Sequence, residues 1–261
     1  MSLKLILIFL ERYVTKKSIV NCPPRLNQVI IAHTPFKSCI SMLERPNPDE
    51  LLAKYEIKPK HGKLTLFLGA AAGVGKTYTM LKSLRDLIDD KVDVVIAYVE
   101  SHGRAETQAA IPAEVEQIPL KSISYNGHQL RELDLDAILA RKPQLVVIDE
   151  LAHSNVSGSR NNKRYQDVLE ILTAGIDVYS ALNIQHIESL NDVVGQITEV
   201  KISETVPDFI LQIADEVKLI DVTPDELIER LRDGKIYSKE RAITALENFF
   251  RKGNLIALRE M

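Results

Sequence analysis

From Lys63 onward, apolar residues arrive in short unbroken runs separated by stretches with helical spacing. The runs are "KLTLFLG" at 63–69, "VDVVIAYVE" at 92–100, "QLVVIDE" at 144–150, "IDVYSALNIQ" at 176–185 and "EVKLIDV" at 216–222. Runs of this length without polar alternation predict strands buried on both faces. Between them, one helix is predicted from about Lys76 to Asp90 and another over "RYQDVLEILTAG", stopped by Gly175. Strands separated by helices in this way predict a parallel sheet covered on both sides. The tail "TPDELIERLRDGKIYSKERAITALENFFRKGNLIALREM" predicts helices, with Thr223 capping the first and Gly234 ending it.

The first forty residues have a different texture. "SIVNCPPRLNQVIIAHTPFKSCIS" mixes proline, cysteine and apolar residues without a sustained period and predicts no clear element. "MLERPNPDELLAKYE" then begins at Met42, with Asn47-Pro48-Asp49 as a helix start. The expected organisation is a poorly structured or over-extended segment over 1–41 and one α/β domain over 42–261.

The first strand runs into "AAAGVGKT" at 70–77, a Walker A-like loop with alanine where the strict pattern has its first glycine. Gly73 and Gly75 lack a Cβ, so backbone N–H groups of Gly73, Val74 and Gly75 can close around phosphate oxygens. Lys76 is placed to lie across β- and γ-phosphates, Thr77 to hold Mg²⁺ through its hydroxyl, and Tyr78 to border the nucleotide. The start of the following helix adds its positive dipole end. "LVVIDE" supplies the second half of such a site. Its buried strand delivers Asp149 at the C-terminal tip, where it can accept from Mg²⁺-bound water or from Thr77. Glu150 either polarises an attacking water or hydroxyl or is an inert rim carboxylate. With these motifs the fold class is α/β, a mainly parallel sheet of P-loop NTPase type flanked by helices, with a helical C-terminal extension.

Asn183, ending the fourth strand, is a γ-phosphate sensor or a polar turn, depending on whether that strand lies beside the first; the same holds for Gln185. Past the second strand, "VESHGRAETQA" gathers His102, Arg104 and Glu106. After the acids, "HSNVSGSRNNKRYQD" carries Arg160, Lys163 and Arg164. These polar runs are expected to form substrate or partner loops, with Arg160 as the charge-stabilising arginine. His102, His153 and His186 lie too far apart in sequence to suggest a metal site.

Composition narrows the function. Thirty-three Lys plus Arg against 36 Asp plus Glu give a formal charge of -3, which argues against broad nucleic-acid binding. The two cysteines, Cys22 and Cys39, have neither disulfide-framework nor zinc spacing, so a cytoplasmic setting is expected. No apolar run approaches the roughly 20 residues of a membrane span.

"GAAAGVGKTYTML", "VESHGRAET", "VVIDELAHSNVSGSRNNKRYQDV", "AGIDVYSALNIQHIESLNDVV" and "ETVPD" together resemble the N-terminal cytoplasmic domain of the KdpD sensor-kinase family, from about Arg45 onward. The chain departs from that pattern at Ala72 for Pro, Ser154 for Thr, Ser157 for Pro and Asn161 for His. The resemblance implies ATP and Mg²⁺ binding and a part in potassium-dependent two-component signalling. It implies a protein partner: a histidine kinase, a response regulator or a subunit of the Kdp potassium pump, any of which could recruit the chain to the inner face of the plasma membrane. The sequence contains no H-box of the His-Glu-x-x-(Ser/Thr)-Pro type and no glycine-rich kinase lid. Autophosphorylation on histidine is therefore not expected of these residues, and the chain reads as a short stand-alone form. Slow ATP hydrolysis, or transfer of the γ-phosphate to a protein Ser or Thr, is the alternative to a purely regulatory module. If translation begins at Met42, mass spectrometry of the native protein will find no peptide from residues 1–41; any such peptide contradicts that start.

Overall fold

A computed structural model describes residues 61–261, apart from His102, Asn126 and the side chain of Lys239. The expected 1–41 segment and the helix start at Asn47 lie outside the described residues.

The main sheet has six strands, all parallel, in the order β3-β2-β6-β7-β1-β8. They are β1 (Leu64–Gly69), β2 (Val94–Tyr98), β3 (Glu116–Gln117), β6 (Leu145–Ile148), β7 (Asp177–Asn183) and β8 (Glu216–Ile220). Period-two geometry sends alternate residues of each strand to opposite faces. Leu64 and Leu66 of β1, Val95 of β2, and Val146 and Ile148 of β6 enter one core with Val168 and Ile171 of α5 (Arg164–Thr173). Phe67, Val94, Ile96, Leu145 and Val147 enter the other with Met80 and Leu81 of α1 (Lys76–Lys82) and with Leu84, the first residue of α2 (Leu84–Asp89). Both faces of β1, β2, β6 and β7 are buried, and the fold is the expected α/β sheet flanked by helices; the fifth run departs from the expectation, because β8 is an edge strand and largely exposed, with Leu219 at 69%.

The register decides what meets at the sheet's edge. β7 lies between β6 and β1, and Gly69 at the end of β1 pairs with Asn183 at the end of β7. The C-terminal tips of β1, β7 and β6 therefore converge, and in open α/β sheets ligands gather at that edge.

The single helix expected over 76–90 is broken at Ser83. Its hydroxyl donates to the Met80 carbonyl at 2.7 Å, a local bond that competes with the helical ladder. Two further helices, α3 (Ala105–Ala109) and α4 (Leu135–Arg141), follow β2 and the hairpin described next. That hairpin, β4 (Lys121–Tyr125) with β5 (His128–Glu132), is antiparallel and absent from the sequence expectation. Its signal was present: Asn126-Gly127 between two short runs is a strong hairpin marker, and Gly127 has φ +80°.

Beyond β7 come α6 (Glu188–Thr198) and α7 (Phe209–Ile213). The tail forms α8 (Pro224–Arg232), α9 (Lys239–Glu247) and α10 (Lys252–Glu260). Thr223 accepts from the Glu226 N–H at 3.3 Å, and Gly234 has φ +73°, as capping and termination require. The tail packs on the loop after β1: Ala71 and Val74 share a core with Leu227, Leu231, Ile236 and Phe250.

Gly62, at the entry to β1, donates its N–H to the Leu172 carbonyl at 2.8 Å. A Cβ there would lie 1.9 Å from the Ile176 carbonyl oxygen, a backbone atom with little room to yield. Gly62→Ala should cost about 1–3 kcal/mol of stability, read as a lower urea midpoint. An unchanged midpoint contradicts this close approach.

Candidate functional site

The loop from Ala70 to Gly75 leaves β1 and turns into α1. Gly73 (φ +86°) and Gly75 (φ +104°) occupy the left-handed region, where a side chain is strained. At Gly73 a Cβ would also meet Ile236 at 2.2 Å. Lys76, the first residue of α1, is buried, and its Nζ donates to the Ala71 carbonyl at 3.1 Å and to Asn183 Oδ1. The lysine ammonium thus bridges the loop to the tip of the neighbouring strand.

Thr77 completes a second bridge. Its hydroxyl donates to Asp149 Oδ2 at 2.8 Å, and the other oxygen of Asp149 accepts from the Glu150 N–H at 2.8 Å. Burial pushes the Asp149 carboxyl up, opposed by these hydrogen bonds and by Lys76. Burial likewise lowers Lys76 to about 8, with Asp149 opposing the shift and the Arg104 cation reinforcing it. A buried cation and a buried carboxylate, each with a hydroxyl or amide partner, can serve a ligand that carries negative charge and a divalent metal.

Glu150 adopts φ +54°, unusual for a residue with a side chain. Beneath it lies a cluster that sequence reasoning did not assemble. Arg164 is fully buried as the first residue of α5; its Nη1 reaches the Asp149 carbonyl at 3.4 Å and Glu150 Oε2 at 4.0 Å. Its Nη2 donates to Glu132 Oε2 at 3.1 Å, and its guanidinium carbon sits 3.8 Å over the Tyr98 ring. Glu132, from the unexpected hairpin, also pairs with His153 Nε2 at 2.9 Å and accepts from the Val156 N–H at 3.0 Å. Burial alone would push the Glu132 carboxyl up, but the His153 and Val156 hydrogen bonds and the Arg164 charge hold it below the usual range.

Lys76, Thr77, Asp149, Glu150 and His153 line a cleft of about 790 Å³, its open mouth included, at the C-terminal edge of the sheet. Of the expected site residues, Gly73, Gly75, Lys76, Thr77, Tyr78, Asp149, Glu150, Asn183 and Arg104 come together there. Val74 turns inward to the core shared with the tail. Glu106 lines an adjoining groove instead. His102 lies outside the described residues.

Two expectations for the loop after β6 need correction. Arg164 is not a loop residue open to a partner: it is walled in by Glu132 and Tyr98 and supports the acids from below. Arg160 does not line the cleft; it is held by Asp136 at 2.9 Å and Glu170 at 2.5 Å. Lys163 keeps its place in that loop, partly exposed immediately before α5, with its Nζ donating to Ser154 Oγ at 2.7 Å. The arginine that does reach the cleft is Arg104, whose Nε is buried without a hydrogen-bond partner. His186 and Glu204 also line the cleft; His186 Nδ1 bonds the Glu204 carbonyl at 2.8 Å, and Glu204 Oε1 accepts from the Ser154 N–H at 2.8 Å. Glu204 belongs to the "ETVPD" stretch, whose polar start was a usable signal.

Residues 60–261 match the family model KdpD, described as the osmosensitive K+ channel His kinase sensor domain. The chain is 51% identical to sensor protein KdpD of Clostridium acetobutylicum over 221 residues, 84% of this chain and 24% of that protein. It is 51% identical over 217 residues to sensor protein KdpD of Escherichia coli (strain K12), covering 83% of this chain and 24% of that one. Against sensor protein KdpD of Mycobacterium tuberculosis (strain ATCC 25618 / H37Rv) it is 51% identical over 205 residues, 78% of this chain and 24% of the relative. The chain therefore spans about a quarter of the length of each of these relatives. Among the described residues no helix is long and apolar enough to cross a membrane.

The low Lys76 value has a consequence for stability. Between pH 8 and the ordinary lysine value of 10.5, the unfolded chain binds a proton at this residue that the folded chain has released. Stability contributed by Lys76 therefore rises with pH across that window. Urea unfolding of the wild type and of Lys76→Met should show the difference moving in favour of the wild type from pH 7.5 to 9.5. A difference independent of pH contradicts a depressed Lys76.

Proposed function

The chain belongs to the KdpD sensor family, and on that premise we propose that it is an ATP- and Mg²⁺-binding regulatory module of potassium-dependent two-component signalling. The observation that carries the reading is the pair of bridges across the sheet edge: Lys76 to Asn183, and Thr77 to Asp149 at 2.8 Å. One places a cation, and the other a hydroxyl and a carboxylate, where a Walker-type loop opens into its helix. When bound, ATP·Mg²⁺ supplies the transferable γ-phosphoryl group and the metal charge. Thr77 and Asp149 would hold the metal side. Mg²⁺ commonly keeps several waters and uses only one or two protein carboxylates with the phosphates, so this small donor set suits it.

The chain's own groups then have distinct duties. Lys76, now held by the Ala71 carbonyl and Asn183, would hold phosphate oxygens instead, and Asn183 would report whether a γ-phosphate is present. Gly73 and Gly75 let the backbone approach the phosphates without a clashing Cβ. Arg104 adds a second cation at the cleft. The reporting surface lies in the loops after β2 and β6, which carry Arg104 and the acids, and ordering such loops around a γ-phosphate is a known switching mode. The partner that reads this surface is a histidine kinase, a response regulator or a subunit of the potassium pump. The setting is cytoplasmic, with recruitment to the inner face of the plasma membrane through that partner.

A second reading, transfer of the γ-phosphate to a protein Ser or Thr or to water, is favoured by the placement of Glu150. Its backbone is held at φ +54° and its carboxylate lies 4.0 Å from the buried Arg164. A carboxylate fixed at the cleft can orient an attacking hydroxyl.

Lys76→Ala should weaken ATP binding by about 10- to 100-fold, the loss of a charge-assisted contact, as read by calorimetric titration; unchanged affinity contradicts the site. Glu150→Gln should retain affinity. Incubation with γ-labelled ATP and candidate partners then separates the readings. Label on a partner polypeptide or released as free phosphate, lost in Glu150→Gln, supports transfer, and neither product with intact binding supports a purely regulatory module.

A further inference from the structure

Beside the cleft runs a second and wider depression of about 2460 Å³, its open mouth included, between α3 and the connection from α8 to α9. It shares Gly73, Gly75, Tyr78, Arg104 and Thr107 with the cleft, so the two are continuous across the glycine loop. We propose that this groove holds the base and sugar of the nucleotide whose phosphates occupy the adjoining cleft. The proposal rests on the phosphate reading of that cleft.

Hydrogen-bonding chemistry suits the groove to a nucleoside. Its far wall carries Glu229 together with two ion pairs, Glu226 with Arg230 at 2.6 Å and Asp233 with Lys235 at 3.2 Å. Carboxylate oxygens along that wall can accept from a neutral group rich in donors, such as ribose hydroxyls and an exocyclic amine. Arg230 also donates to the Gly73 carbonyl at 3.2 Å, which ties this wall to the glycine loop. A nucleotide with its phosphates at Lys76 and the loop therefore lays its nucleoside against α8.

An aromatic surface stands at each side of the entrance. Tyr78 follows Thr77 directly and is 44% exposed. Tyr237 lies on the opposite wall, 36% exposed, and is braced edge-on by Phe250 with ring centroids 6.0 Å apart. Burial pushes the Tyr237 phenol up while the Arg104 cation opposes it, and Arg104 also bears on Lys76. Arg104 thus stands at the junction, within electrostatic reach of both the phosphate lysine and the groove tyrosine. A braced aromatic ring loses little freedom when a base stacks on it, and stacking is a main source of base affinity.

The test compares ATP with inorganic tripolyphosphate, each titrated calorimetrically with Mg²⁺ into the full chain. The wild type should bind ATP about tenfold or more tightly than tripolyphosphate. Tyr237→Ala should weaken ATP about tenfold and leave tripolyphosphate unchanged. Glu229→Ala, at an exposed helical position, should weaken ATP alone by several-fold, and it decides the matter if Tyr237→Ala does not fold. Equal affinity of the wild type for the two ligands, or ATP affinity untouched in both variants, overturns the groove assignment and leaves it to another occupant such as a protein acceptor segment. Wild-type protein that binds neither ligand overturns the phosphate reading and the groove with it, whereas Lys76→Ala should weaken both ligands alike.

Discussion

A hydroxyl donating to a buried carboxylate, Thr77 to Asp149, ties together two parts of the fold that the sheet itself keeps apart. β1 and β6 are not neighbours; β7 runs between them. The 2.8 Å bond therefore spans a strand and fixes the start of α1 against the tip of β6. Lys76 fixes the same helix start to the tip of β7 through Asn183. Both bridges depend on the parallel order of the strands and on Gly69 meeting Asn183 in register. A slip of one residue would exchange the two faces of the strand and separate these groups.

The acids at the tip of β6 are supported from below by charge rather than by apolar packing. Arg164 is buried between Glu132 and the Tyr98 ring and reaches the Asp149 carbonyl. Such a cluster is costly to leave half-satisfied, so His153 and the Val156 N–H complete Glu132. Because Glu132 ends the β4–β5 hairpin, the position of that hairpin bears on the backbone that presents Asp149 and Glu150. From the other side, Ile236 and Arg230 press the C-terminal helices onto Gly73. The loop is held between two elements that come from distant parts of the chain.

What the sequence made legible follows from local chemistry. Unbroken apolar runs marked β1, β2, β6, β7 and β8, and Gly175 and Gly234 marked helix ends because only glycine adopts their left-handed backbone cheaply. The meeting of the loop with the first acid was readable because residue type and spacing place both at the same sheet edge. Asn183 was readable only as an alternative, since its place depended on strand order. Arg160 and Arg164 could not be told apart by sequence: both are cations after a buried strand, and only the packing of α5 buries one and turns the other toward Asp136. Arg104 looked like its polar neighbours until the fold carried it beside Lys76. The β4–β5 hairpin was missed although Asn126-Gly127 announced it, because its largely exposed strands lack continuous apolar runs.

The most direct measurement is a crystal structure of the chain with a non-hydrolysable ATP analogue and Mg²⁺. The expected result is terminal phosphates at Lys76, with the metal held by the Thr77 hydroxyl and Asp149. A cleft left vacant at saturating analogue, or an analogue seated elsewhere with the Thr77–Asp149 bond intact, would contradict it.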